Sequence, residues 1–347
     1  MKKLLILLII TFVSCKNDKS SDHGKSDKNL VAAFQGMQVT GVTVSNTGRI
    51  FANFPRWRKD VPLSVVEINP KDGSFVAYPN KEVNSWKLNY PLDKDHFIAV
   101  QSVVCHDNKL YVLDTRNPLF NGVLDAPRIF VIDLKANELS DVYKLNNKSF
   151  NTNSYINDLR IDPSSNRIYM TDSGSAGLVV YDIATRQSRR ILDNHYSTLA
   201  ETNELNVNGT IWKNIVHSDG IAFNTKSKKL YFHSLTGYSL YAIDTNLFDN
   251  DDSEINSSVE LIAKTSAPDG MIFDAKGNLY YADLEAGKIN YLTPKGKTKT
   301  LLEGPNVNWA DTFSIYDDYL YYTNSRIHEA SDDVSELSFT IRKVKLP

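Results

Sequence analysis

The sequence predicts an all-β protein, a six-bladed β-propeller with four-stranded antiparallel blades. Two observations carry that prediction. One unit, two short apolar runs joined by a polar turn, recurs six times between Gly41 and the C-terminus. Self-similarity at a period of several tens of residues marks repeat architectures, and stacked hairpins at that period build propellers. Composition agrees: 11% of the 347 residues are aromatic, with 18 Tyr and 15 Phe. Rings of this kind pack well on a pleated surface.

The chain opens with MKKLLILLIITFVSC, in which Lys2 and Lys3 precede an apolar run from Leu4 to Val13. That run is too short to span a bilayer but suits the apolar centre of a signal peptide. Ser14-Cys15 resembles a bacterial lipoprotein processing site, although Phe12 stands where leucine is usual. The resemblance implies removal of residues 1–14 and lipidation of Cys15. The product is then an extracytoplasmic protein held to a bacterial outer membrane or cell surface through its lipid alone. Residues 15–29 are polar, without apolar periodicity, and read as a flexible tether. Lys16 and Asp18 loosely resemble a surface-export signal. The remaining cysteine, Cys105, lies in the apolar run SVVC and reads as an inert core thiol, so disulfides have no part in the fold. A formal net charge of -2 gives no electrostatic footprint for nucleic acid.

The propeller then occupies residues 30–347. Its units begin GVTVSNTGRIFANF at Gly41, SVVCHDNKLYVLD at Ser102 and DLRIDPSSNRIYMTD at Asp158. The others are DGIAFNTKSKKLYFHS at Asp219, DGMIFDAKGNLYYAD at Asp269 and DTFSIYDDYLYYTNS at Asp311. Each is a hairpin signal. A third run follows most of them, such as GLVVYDI (Gly177–Ile183), and a fourth follows that, such as SRRIL (Ser188–Leu192). The last unit is one strand short, with only FTIRKVKL (Phe339–Leu346) after its hairpin. NLVAAF (Asn29–Phe34) has no unit of its own, so it is expected to complete the last blade and close the ring, which removes an unpaired edge.

The innermost strands of a propeller line its channel, so residues at their heads gather at one mouth. Asp158, Asp219, Asp269 and Asp311 stand there, with Asn157 beside the first. Carboxylates brought to one axis repel each other. They are relieved by backbone N–H groups, by a cation such as Ca²⁺, or by an organic ligand, and all three readings stay open. An acidic mouth favours cationic small molecules such as amines. His217 lies two residues before Asp219; the pair is a candidate general base and acid, against the plainer reading of a histidine bonded to backbone. No nucleophile elbow, zinc-protease, phosphate-loop or paired-cysteine motif is present.

Longer stretches resemble a known family. GVTVSNTGRIFANFPRW followed by VPLSVVEI, then YVLDTRNP, NDLRID with TDSGSAGLVVYD, HSDGIAFN, NWADTFSIYDDYLYYTNSRIHE and FTIRKV are similar to major royal jelly and yellow proteins. The resemblance implies a secreted propeller with a small-molecule cavity at the channel mouth. Insect members include pigmentation proteins linked to dopachrome conversion and binders of biogenic amines. The disulfide cysteines of the insect proteins are absent here. More distantly, APDGM (Ala267–Met271) resembles the gluconolactonase and regucalcin propellers, where Ca²⁺ sits in the channel. That likeness implies Asp269, Asn157 and Asp219 as metal ligands and a Ca²⁺-dependent lactonase or esterase as an alternative function. The acidic ligand expected from the first blade is missing, since VTGVTV offers only Thr40. A non-catalytic propeller that docks other proteins is the third alternative.

Overall fold

The computed structural model describes residues 27–92 and 95–347; the leader, Cys15 and most of the tether lie outside the described residues. Apolar residues alternate along short runs, so each run makes a strand with a buried and a more open face. Six four-stranded antiparallel sheets result. Blade I comprises Gly41–Val44, Ile50–Asn53, Val65–Ile68 and Phe75–Ala77. Blade II comprises Val100–His106, Lys109–Asp114, Arg128–Asp133 and Glu138–Lys144. Blade III comprises Ile156–Asp162, Arg167–Asp172, Gly177–Asp182 and Gln187–Ile191. Blade IV comprises Ser218–Asn224, Lys229–Ser234, Ser239–Asp244 and Glu260–Lys264. Blade V comprises Met271–Phe273, Leu279–Asp283, Lys288–Leu292 and Thr298–Glu303.

Blade VI draws on both ends of the described chain. Ala310–Tyr316, Tyr319–Asn324 and Ser338–Lys345 are followed in space by Leu30–Gln35, which pairs antiparallel with the third strand from Leu30↔Arg342 to Gln35↔Ser338. Outside the repeat, among the described residues, lie a hairpin of Glu204–Val207 and Thr210–Lys213, a short α-helix, Asp252–Ser257, and two single-turn 3-10 helices, Pro118–Phe120 and Thr245–Leu247.

The core is distributed around the ring. Phe51, Val65, Phe97 and Phe130 pack blade I on blade II. Tyr111, Ile129, Leu159 and Met170 pack II on III, and Leu178, Phe223 and Phe232 pack III on IV. Ala222, Leu240, Met271 and Tyr281 join IV to V. Tyr280, Trp309, Phe313 and Tyr322 join V to VI. Phe34, Val42, Phe54 and Phe339 join VI to I. Innermost strands are nearly all buried, as in SDGIAFN, whereas outer strands such as ELSDVYK are largely exposed. The tight turns use left-handed residues where the sequence offers Asn or Gly, as at Asn166 (φ 58°) and Gly277 (φ 88°). Burial pushes the Cys105 thiol up to about 12, consistent with an unreactive core residue.

Candidate functional site

Polar residues that end second strands fix the segments leading into the innermost strands. Asp114 accepts the Ile98 and Ala99 N–H groups at 2.7 and 2.9 Å. Asp172 accepts the Tyr155 N–H at 2.9 Å, and Asn324 accepts the Asn308 N–H at 2.8 Å. The segments so held carry Gln101, Tyr155 with Asn157, and Trp309 with Asp311.

Strand register then decides which side chains reach the mouth. The pairs Val103↔Val112, Leu159↔Met170, Ile221↔Phe232, Met271↔Tyr281 and Phe313↔Tyr322 are equivalent in blades II to VI. Two residues before each first member stand Gln101, Asn157, Asp219, Asp269 and Asp311. The third unit is therefore offset by one from the alignment on Asp158. A slip of one residue in a strand turns a side chain to the other face. Asn157 holds the position of Asp219, and Asp158 faces elsewhere: it accepts Ser102 Oγ–H at 2.7 Å and pairs with Arg160 at 2.8 Å.

The glycine of the repeated Asp-Gly has its own reason. A Cβ on Gly220 would lie 2.8 Å from the Asp269 carbonyl oxygen, and one on Gly270 would lie 2.7 Å from that of Asp311. Neighbouring innermost strands approach at these points only because no side chain intervenes. Asp219, Asp269 and Asp311, on consecutive blades, are drawn together as a result.

They line a cavity of about 410 Å³. Gln101, Asn157, Asp219 and Asp269 are buried there. Aromatic residues line it in two groups. Phe120 lies against Trp57 and Tyr155, with ring centroids 5.8 and 4.8 Å apart. Trp212, from the extra hairpin, meets Trp309 at 4.9 Å. Leu119 and Phe120 both have left-handed backbones (φ 60° and 55°), a strained conformation for such residues that presents the Phe120 ring.

A hydrogen-bond chain crosses the site. Trp57 Nε1–H donates to Tyr155 Oη at 2.6 Å, and Tyr155 donates to Gln101 Oε1 at 2.8 Å. Gln101 Nε2–H donates to Asn157 Oδ1 at 2.7 Å, and Asn157 bonds to Asp219. From the other end, Trp309 Nε1–H donates to Asp269 Oδ2 at 2.7 Å. Asp219 and Asp269 are bonded to each other in the middle. Burial, then the charges of Asp269 and Asp158, push Asp219 well above the usual carboxylate range. Burial, then Asp311, does the same to Asp269, and burial, then Asp219, to Asp311. Two carboxyls this close do not both ionise readily, so the pair tends to keep a proton between them.

His217 is not brought into the cavity. Its Nδ1 accepts the Ala200 N–H at 3.1 Å, and burial lowers its pKa. The neighbouring His233 is fixed by Ser234 O and Thr265 Oγ1 at 2.6 and 2.9 Å and is pushed down to about 4. Both are neutral structural residues, which corrects the pairing of His217 with Asp219. Reading the sequence also missed the aromatic lining. Two of its members left a signal: Trp309, two residues before Asp311 in NWAD, and Trp57, at the end of FPRW.

Comparison with known proteins places the fold in a family. Residues 78–329 match the family described as Major royal jelly protein. The chain belongs to the major royal jelly protein family. The match takes in the YVLDTRNP, NDLRID, HSDGIAFN and NWAD motifs, while the opening GVTV and closing FTIRKV strands lie beyond it. The chain is 25% identical to dopaminechrome tautomerase of Drosophila melanogaster over 61% of its length and 48% of that protein. It is 24% identical to major royal jelly protein 3 of Apis mellifera over 59% of its length and 42% of that protein. It thus spans under half the length of these curated relatives. Among solved structures, a gluconolactonase from Xanthomonas campestris superposes with a TM-score of 0.57 at 13% identity, covering 90% of this chain and 87% of that one. That likeness is one of fold.

For this royal jelly family member, the donor set bears on calcium. Ca²⁺ takes six to eight converging oxygens. Among the described residues, no three His, Cys, Asp or Glu side chains are grouped to hold a metal ion. Asn157 Oδ1 is occupied by Gln101, Asp269 Oδ2 by Trp309, and Asp158 by Arg160. Asp269, Asn157 and Asp219 therefore fit a calcium shell poorly.

Proposed function

We propose that the cavity binds a small aromatic molecule and moves protons on it, a tautomerase-type isomerisation. One observation carries the reading: two neighbouring acids, Asp219 and Asp269, are buried at a cavity lined by five aromatic side chains. Such a pair supplies an acid and a base at once, because neighbouring carboxyls do not both ionise. The relationship to dopaminechrome tautomerase supports the same chemistry. In an aminochrome, hydrogens leave saturated ring carbons as protons and arrive on quinone oxygens, while electron pairs shift through the ring. The product is an isomer, so no oxidant or reductant enters.

The residues divide the work. Asp219 O–H donates to a quinone oxygen, and the Asp269 carboxylate takes the carbon-bound proton. Trp309 N–H holds Asp269 in place and stabilises its charge. Asn157, fixed by Gln101, orients Asp219. Proton return across the Asp219–Asp269 bond resets the pair for the second transfer. Stacking on Trp57, Phe120 and Trp212 keeps the ring within reach.

The purified protein is expected to convert dopaminechrome to the dihydroxyindole, followed as loss of visible absorbance, with the same rate before and after chelator treatment. Loss of turnover with chelator, accompanied by hydrolysis of gluconolactone, would overturn this in favour of a metal-dependent lactonase. We place the protein outside the cytoplasm on a lipidated Cys15, on the strength of its leader. A palmitate analogue is expected to label the wild type and not Cys15→Ser; equal labelling sinks the anchor.

A further inference from the structure

Arg58 is the cation among the residues that line the cavity, where Asp219, Asp269, Asp311, Asp332 and the Tyr155 phenol are the other charged or titratable groups. Its Nε–H donates to Ser331 O and its Nη1–H to Gln38 Oε1, each at 2.6 Å, so both partners are neutral. Among the described residues it makes no ion pair, and Nη2 has no hydrogen-bond partner. The half-buried guanidinium has its pKa pushed down by burial, an effect that the charge of Asp332, an exposed side chain, offsets only in part.

Other sheltered arginines differ. Arg49 pairs with Glu67, Arg160 with Asp158, and Arg190 with Asp172. Arg56 also bonds only to carbonyls, but all three of its nitrogens are engaged, by Ile98, Val61 and Trp86, and it lies outside the cavity lining. Arg58 thus stands at the cavity with a fixed plane, an under-compensated charge and one nitrogen to spare. A guanidinium in that state binds a carboxylate oxygen through a short charge-assisted bond.

We propose that Arg58 reads an anionic substituent, so that the preferred ligands are aromatic ring systems bearing a carboxylate. The ring stacks on the aromatic lining, its oxygens meet Asp219 and Asp269, and its carboxylate meets Arg58. Asp332 is exposed to water and screened, so it opposes the anion weakly. This rests on the reading of the cavity as a site for aromatic small molecules. It adds that amino-acid-derived rings are taken in preference to their decarboxylated counterparts.

The test uses two stable probes, indolinecarboxylate and indoline, titrated by calorimetry into the full chain. Wild type is expected to bind the carboxylate roughly tenfold or more tightly than indoline, a difference typical of one charge-assisted bond. Arg58→Met is expected to bring the two affinities together, and Arg58→Lys to keep part of the difference. Loss of the Ser331 and Gln38 bonds lowers stability in either variant, but a purely structural latch leaves the ratio between probes unmoved. Equal binding by the wild type, no binding of either probe, or an unchanged ratio in Arg58→Met would overturn the proposal. Dopaminechrome lacks the carboxylate, so its turnover reports on the acid pair separately.

Discussion

Asp269→Asn is expected to lower tautomerase turnover roughly a hundredfold to ten-thousandfold, the usual share of a positioned acid or base. At the same time it should leave the protein folded and, at pH 8, as stable as the wild type or more so. The sign follows from the direction of the shifts. Asp219, Asp269 and Asp311 all sit above their ordinary pKa. A carboxyl that binds its proton more tightly in the folded state favours folding below its unfolded pKa of about 4. That advantage is lost as pH rises through the folded value. At neutral and alkaline pH the cluster therefore opposes folding, and removing one charge relieves it. The asparagine keeps an oxygen for Trp309 N–H. Melting temperatures of wild type and variant measured from pH 4 to pH 8 check this: the variant's advantage should grow with pH. A variant that loses both activity and stability at pH 8 would make Asp269 a structural residue.

Deleting Leu30–Phe34 is expected to lower the melting temperature by on the order of 10 °C or more. The segment contributes Phe34, 1% exposed, and Ala32, 3% exposed, to the apolar cluster shared by blades VI and I. Removing a buried phenylalanine side chain alone costs about 3–5 kcal/mol. The deletion also strips the ladder from Ser338–Lys345, leaving that strand as an open edge. Phe34→Ala should reproduce part of the loss. Calorimetry showing an unchanged transition in the deletion would refute the view that this pairing closes the ring.

The repeats were legible because a blade is a local object: two runs and a turn sit within about fifteen residues, and the alternation that buries a strand is written into them. Asp219, Asp269 and Asp311 were legible for the same reason, as heads of strands in one register. Asp158 was misplaced by one position because Asn157-Asp158 offers two polar residues and only the strand pairing says which faces inward. The aromatic lining was harder. Trp57 and Phe120 come from segments outside the paired strands, and Trp212 from a hairpin between blades III and IV, so no period points to them. Arg58 gives no signal in sequence at all, because its meaning is the carboxylate it does not meet. The ring of His217 was unreadable too, since its partner is a backbone N–H seventeen residues away.

The polar heads around the mouth are not alike: blades II and III supply the amides of Gln101 and Asn157, while blades IV, V and VI supply the acids. A flat ring resting there meets proton-transfer groups along one sector only. The two hydrogens of a ring methylene, identical in solution, then become distinguishable, because one points toward the acids and the other away. Proton loss from that carbon is then expected to be stereospecific: a substrate labelled with deuterium on one face should keep or lose its label as a unit.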